Sequence, residues 1–169
     1  LARRLVQGLS WGMMTSRAKA SREAFDPMGA ALEEARKAGE RGEIPIGAVI
    51  VREGAIVARA GNETIARSDP TAHAEMLVIR AAAGSAGSQR IPDADLYVTL
   101  EPCAMCAGAI SFARIRRLRF AARDHKGGGV ATGPLIFAQP TCHHRPEVIG
   151  GAGEERSAEL LRTFFRARR

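Results

Sequence analysis

The sequence predicts an α/β protein, a three-layer α/β/α arrangement around a five-stranded mixed sheet, and three observations predict it. Five short apolar or alternating runs have strand character, and four longer segments repeat apolar residues at helical spacing. After an opening hairpin the two kinds of segment alternate. A hairpin demands an antiparallel pair, while strand–helix–strand units demand parallel ones with helices packed on the faces. With 169 residues, 46% of them hydrophobic and 25% charged, the chain suits one domain with a proper core and is neither disordered nor fibrous. No apolar run reaches the roughly 18 residues that a spanning helix needs.

Residues 1–25 read as a poorly ordered extension. The chain opens on Leu1, and the patch after Arg3 and Arg4 is interrupted by Ser10, Trp11 and Gly12 before a secretory apolar core can form. Asp26-Pro27 is a helix start, a capping carboxylate followed by proline in the first turn. Met28, Ala31, Leu32, Ala35 and Ala38 then share one face until Gly39 or Gly42. The continuous apolar run 44–51 reads as a strand covered on both sides, Glu53-Gly54 as a turn, and 55–61 as the returning strand. A polar loop over 62–69 leads through Pro70 into a helix over 72–83, ended by the stretch 84–88. Strands follow at 96–100 and 117–122, with a helix between them from Pro102 to about Ala113. A glycine-rich loop over 123–133, a short strand at 147–149 and a helix over 154–168 complete the chain.

The charge is uneven. Residues 1–113 hold 13 basic and 13 acidic side chains, whereas 114–169 hold 12 basic and 5 acidic, so the last third carries the whole net +7. Arg114, Arg116, Arg117 and Arg119 form one cluster, and Arg162, Arg166, Arg168 and Arg169 another. Such a surface attracts phosphate backbones. The plainer reading is an arginine-rich composition, 22 Arg against 3 Lys, displayed on solvated helix faces.

Two fragments carry chemistry: Thr71-Ala72-His73-Ala74-Glu75 and Pro102-Cys103-Ala104-Met105-Cys106. Cysteines three apart on a helix put both sulfurs on one side, and a helix N-terminus favours thiolates. His73 can supply a third ligand, and three protein ligands leave one tetrahedral position for water, as in a catalytic zinc site. Glu75 has another task. Residues two apart on a continuing helix point about 200° away from each other, so His73 and Glu75 converge only where the helix begins. Two thiolates and a neutral imidazole already balance Zn²⁺, which leaves Glu75 free to move protons. Alone, the His-x-Glu fragment is weak and the Cys-x-x-Cys fragment is ambiguous between a redox pair, half a zinc finger and two buried thiols. Their conjunction, with proline directly before the first cysteine, is the pattern of nucleobase deaminases. Cys142-His143-His144 reads as a loop with an exposed or packed thiol, because a second zinc site lacks partners. Three cysteines make no disulfide framework and suit a reducing compartment.

At Asp69-Pro70-Thr71-Ala72-His73-Ala74-Glu75 and Leu96-Tyr97-Val98-Thr99-Leu100-Glu101-Pro102-Cys103-Ala104-Met105-Cys106-Ala107-Gly108-Ala109-Ile110, the chain resembles the bacterial tRNA-specific adenosine deaminases of the cytidine-deaminase-like superfamily. Arg123-Asp124-His125-Lys126, His144-Arg145 and the ending Phe164-Phe165-Arg166-Ala167-Arg168-Arg169 resemble the tRNA-acting branch in content and order. The likeness covers 26–169, which the resemblance makes a zinc-dependent deaminase domain. It implies hydrolytic conversion of adenosine to inosine at the wobble position of an arginine tRNA anticodon, in a cytoplasmic homodimer with one Zn²⁺ per subunit. It further implies that His73, Cys103 and Cys106 bind zinc and that Glu75 shuttles protons. Asn62, Asp124, Lys126, Phe164 and Phe165 would contact the nucleoside and the anticodon stem-loop, with core packing the alternative for each ring. After Lys126 the chain departs from many relatives, reading Gly127-Gly128-Gly129-Val130-Ala131-Thr132-Gly133-Pro134 where they have a Gly-Ser step into a short helix. Three other functions remain to be weighed. They are a deaminase of a free base or small metabolite (guanine, cytosine or a riboflavin precursor), a thiol–disulfide oxidoreductase, and a non-catalytic zinc-stabilised RNA-binding module.

Overall fold

A computed structural model describes residues 25–168; all of the expected N-terminal extension except Phe25 lies outside the described residues. Helix α1 (Pro27–Glu40) begins as its first residues dictate, the Asp26 carboxylate accepting the Gly29 N–H at 2.8 Å. Met28, Ala31, Leu32, Ala35 and Ala38 are buried along one side, and Gly42 (φ +93°) turns the chain after the helix. Strand β1 (Gly47–Arg52) is shorter than the run 44–51 suggests. Pro45 has no N–H for a ladder, and the Ile46 N–H turns back onto the Ile44 carbonyl at 2.7 Å. Glu53 and Gly54, both at positive φ, make the two-residue turn into β2 (Ala55–Gly61).

Helix α2 (Ala74–Ala86) starts two residues later than its pattern implies. The Asp69 carboxylate captures the Thr71 N–H and hydroxyl at 2.8 and 2.7 Å, which holds the approach in a turn and leaves His73 as the cap. Gly84 lies inside the helix, and the end comes at Gly87 in the left-handed region (φ +60°). Strand β3 (Asp95–Leu100), helix α3 (Ala104–Phe112) and strand β4 (Arg117–Ala122) follow, then β5 (Glu147–Gly150) and α4 (Glu154–Arg166). One short element is additional, a 3-10 turn at Ile136–Ala138.

The strands lie in the order β2-β1-β3-β4-β5, with β1 antiparallel to β2 and β3, and β4 parallel to β3 and β5. Helices α2 and α3 cover one face over Val78, Ile110, Leu96, Leu118 and Phe120. Helices α1 and α4 cover the other over Met28, Leu32, Val49 and Ala121, with Tyr97 and Leu160 at the margin. The arrangement is therefore α/β/α, with five strands in the middle. Because β2, β3 and β4 all end at one edge of the sheet, Asn62, the starts of α2 and α3, and the loop after Ala122 meet there.

Close helix–sheet approach sets which glycines matter. A Cβ on Gly47 would stand 2.1 Å from the Ala31 carbonyl oxygen and 2.4 Å from the Ala35 nitrogen, whereas a Cβ on Gly84 would meet nothing within 4 Å. We therefore expect Gly47→Ala to destabilise the fold by about 1–3 kcal/mol through overpacking. Gly84→Ala should stabilise it by about 0.5–1 kcal/mol by removing chain entropy from a helix interior. Urea unfolding of the two variants measures both, and equal midpoints would refute the packing argument.

Candidate active site and metal centre

The two helix starts deliver three metal-capable side chains to one point. His73 is the cap of α2 and Cys103 the cap of α3, both with extended backbone, and Cys106 lies in the first turn of α3. His73 Nδ1 stands 3.7 Å from Cys103 Sγ and 3.5 Å from Cys106 Sγ, and the three donor atoms all lie within 4.8 Å of one another. Among the described residues no other group of three His, Cys, Asp or Glu side chains comes together in this way. The neighbouring Cys106 thiol draws the free Cys103 thiol down to about 4, with His73 assisting, and the presence of Cys103 together with burial pushes Cys106 up. Two sulfurs and an imidazole converging from one side are a donor set that fits zinc.

Glu75, in the first turn of α2, is 4% exposed. Burial pushes its carboxyl up to about 7, against the lowering effect of its own backbone N–H and of His73. A carboxyl poised near neutrality is suited to accepting and returning a proton. Asn62 is also buried at the end of β2, and its Oδ1 accepts the Ala74 N–H at 2.9 Å, joining the β2 edge to the start of α2.

Two further carboxylates organise the flanking loops. Glu43 is buried and accepts N–H groups from Ile65 and Ala66 at 2.9 and 2.8 Å and the Thr64 hydroxyl at 3.1 Å. Burial raises its pKa, but those bonds, with Arg41 nearby, more than offset it and hold it below the ordinary 4.5. Glu101, likewise buried, binds the loop after β4 through Asp124 and residues 130–132. Sequence reasoning missed both. The one available signal was a lone charge at each border of an apolar strand, since the donors lie 21–31 residues away.

The other residues expected from the sequence have the following surroundings. Asp124 accepts the N–H groups of Lys126 and Gly127, each at 3.0 Å, so its carboxylate shapes its own turn, while the Lys126 side chain is exposed. Phe164 and Phe165 meet edge to face at 5.3 Å. The Arg168 guanidinium covers Phe164 at 3.5 Å and donates to the Gly42 carbonyl at 3.3 Å, whereas Phe165 is 48% exposed. Cys142 packs at the core margin, with Sγ 3.1 Å from the His144 carbonyl oxygen, and His144 Nε2 lies 2.7 Å from the Ile115 carbonyl oxygen. Two of the four arginines clustered over 114–119 are paired with carboxylates. That segment enters β4 at the edge opposite the cysteines, with Arg116 paired to Asp95 at 2.9 Å and Arg117 to Glu147 at 2.7 Å.

Comparison with known proteins agrees with this geometry. Residues 22–122 match the cytidine and deoxycytidylate deaminase zinc-binding region. A tRNA-specific adenosine deaminase of Agrobacterium fabrum is 61% identical over 139 residues, covering 82% of this chain and 91% of that protein. One from Bacillus subtilis is 46% identical over 136 residues, covering 80% and 84%. A solved structure from work on A-to-I editing by tRNA:A34 deaminases at the wobble position of transfer RNA superposes with a TM-score of 0.79. It is 60% identical and covers 80% of this chain and 98% of its own.

The depressed pKa of Glu43 has a definite sign. Its stabilisation is complete above the ordinary glutamate value of 4.5 and is lost as pH falls through the lower folded value. Chemical unfolding between pH 7 and pH 3 should show wild type losing stability on acidification that Glu43→Gln lacks already at pH 7. Parallel stability–pH curves would contradict the assignment.

Proposed function

The chain belongs to the tRNA-specific adenosine deaminases, within the zinc-binding cytidine and deoxycytidylate deaminase family, and from this premise we propose that it hydrolyses adenosine to inosine at the wobble position of a tRNA anticodon, an arginine tRNA by resemblance. The observation that carries the proposal is the convergence of His73, Cys103 and Cys106 beside a buried Glu75.

His73, Cys103 and Cys106 would hold one zinc ion, which when bound supplies Lewis-acid activation of water. Because two thiolates and a neutral imidazole balance the ion's charge, Glu75 is not needed as a ligand. Glu75 takes one proton from water as the water oxygen bonds to C6 and delivers it to N1 of the adenine ring. It then takes the proton left on the new C6 hydroxyl and passes it to the 6-amino nitrogen as the C6–N bond breaks. Adenosine and water become inosine and ammonia. Asn62, at the edge shared by β2 and α2, is suited to hold the nucleoside. Lys126 and Phe165, both exposed, are suited to phosphate and to an unstacked base, while Asp124 supports the turn that presents Lys126. Phe164, clamped between Arg168 and the end of α1, supports the position of Phe165.

A second copy of the chain is the partner we infer for the outer face of α3. Met105 (37% exposed) and Phe112 (74% exposed) are seven residues apart on that face. The three free cysteines suit the reducing cytoplasm, and among the described residues no helix is long and apolar enough to cross a membrane. Light scattering should report a dimer for wild type and a smaller species for Phe112→Asp. A monomeric wild type would remove the dimer from this reading.

The decisive assay incubates the zinc-loaded protein with an anticodon stem-loop bearing a wobble adenosine and reads inosine by sequencing. Glu75→Gln should retain stoichiometric zinc and lose about 10²–10⁴-fold in turnover. Cys103→Ala should instead lose the metal by elemental analysis and melt earlier. Full activity in the first variant or full zinc in the second would refute the assigned roles. Turnover of guanine or cytosine that salt leaves unchanged, with no inosine formed in RNA, would favour a free-base deaminase.

A further inference from the structure

We propose that Glu101 is a positioning residue for the RNA substrate, fixing the loop 123–132 against the turn that carries Cys103 and so setting how tightly the anticodon is held. The proposal rests on the reading above that RNA is the substrate. Both carboxylate oxygens are occupied. Oε1 accepts the N–H groups of Val130, Ala131 and Thr132 at 3.2, 2.8 and 2.8 Å, with the Thr132 hydroxyl, which also reaches the Asp124 carbonyl at 2.7 Å, 3.0 Å away, while Oε2 accepts the Asp124 N–H at 3.1 Å. Three successive amides aimed at one oxygen form a concave anion nest, and bonds to an ionised acceptor are roughly twice as strong as neutral ones.

The first half of this loop is closed on itself by Asp124, whose carboxylate accepts the Lys126 and Gly127 N–H groups and whose carbonyl accepts the Gly128 N–H at 3.0 Å. The Glu101 carboxylate ties that turn and residues 130–132 to the end of β3. Arg123, His125, Lys126 and Gly127 are exposed, and the buried Gly128 and Gly129 have no side chains to pack. Gly128 pairs with Cys103 as an isolated bridge, and the Gly129 N–H donates to the Pro102 carbonyl at 2.8 Å. A Cβ on Gly128 would stand 2.6 Å from Glu101 Cδ, so the loop backbone rests directly on the carboxylate. The loop therefore presents Arg123 and Lys126 beside the metal-binding turn, where a phosphate backbone would meet them. A glutamine at position 101 has one acceptor end and one donor end, yet donors approach from both sides, so one end must oppose an N–H.

The test compares zinc-loaded wild type, Glu101→Gln and Glu101→Asp on the wobble-adenosine stem-loop, with zinc content and amide hydrogen exchange measured on the same samples. In Glu101→Gln we expect zinc to remain stoichiometric, KM to rise on the order of tenfold, kcat to stay within about threefold, and the amides of 124 and 130–132 to exchange faster. Glu101→Asp, which keeps the charge, should restore part of the KM. Unchanged KM with unchanged exchange overturns the proposal, as does loss of zinc or a fall in kcat alone, either of which would assign Glu101 to the metal turn. Should Glu101→Gln fail to fold, Glu101→Asp, whose shorter side chain reaches fewer of these N–H groups, must by itself raise KM and the exchange of 124 and 130–132 together. A wild type that forms no inosine would end the RNA reading and the substrate half of this proposal. The exchange data would then decide whether Glu101 holds the loop at all.

Discussion

Two helices begin at the same edge of the sheet, and their caps face one another. Everything chemical in this protein depends on that meeting. His73 and Cys103 both cap a helix with extended backbone, which turns their side chains off the helix end rather than along its flank. The helix starts add partial positive charge where thiolates and a carboxylate must gather. That field, with the ion that His73 and the two cysteines would hold, would offset the burial of Cys106 and Glu75, which favours their neutral forms. The meeting point is itself a product of topology. Strands β2 and β3 deliver the two helices to one edge, and β4 delivers the loop beside them.

Buried carboxylates outside the ligand set have a complementary part. Glu43 and Glu101 each lie at a border of the apolar core and draw a distant polar loop onto the site through backbone N–H groups. A buried unpaired carboxylate would be costly, so these loops and their anchors stabilise each other. The glycines at 128 and 129 serve the same contact, since side chains there would collide with the carboxylate and with the Ala104 backbone.

The basic third of the chain divides in use. Arg116 and Arg117 are consumed by Asp95 and Glu147 at the far edge of the sheet. At the other end, Arg162 and Arg166 share Glu159, and Arg168 lies over Phe164 and reaches Gly42, which ties the terminal helix to the end of α1. Exposed pairs of this kind contribute little to stability, so the arginines around α4 can exchange a carboxylate for a phosphate at small cost.

The sequence by itself determined the elements and marked the His73, Cys103 and Cys106 side chains that the fold brings together. Helical periodicity, the Asp26-Pro27 start and the Glu53-Gly54 turn are local signals, and they located α1 and the first hairpin. His73, Glu75, Cys103 and Cys106 were legible because metal chemistry restricts residue type and spacing so tightly. Apolar periodicity misplaced the edges where other short-range effects compete with it, the missing N–H of Pro45 and the Asp69 side chain two residues before Thr71, and it left the 3-10 turn at Ile136–Ala138 unseen. Only the tertiary structure decided which arginines are spent on carboxylates, what Glu43 and Glu101 hold, and that Asp124 caps its own turn. The physical reason is range: backbone propensity and ligand spacing act over a few residues. A buried charge finds its partners 21–31 positions away, by a route that only the folded sheet creates.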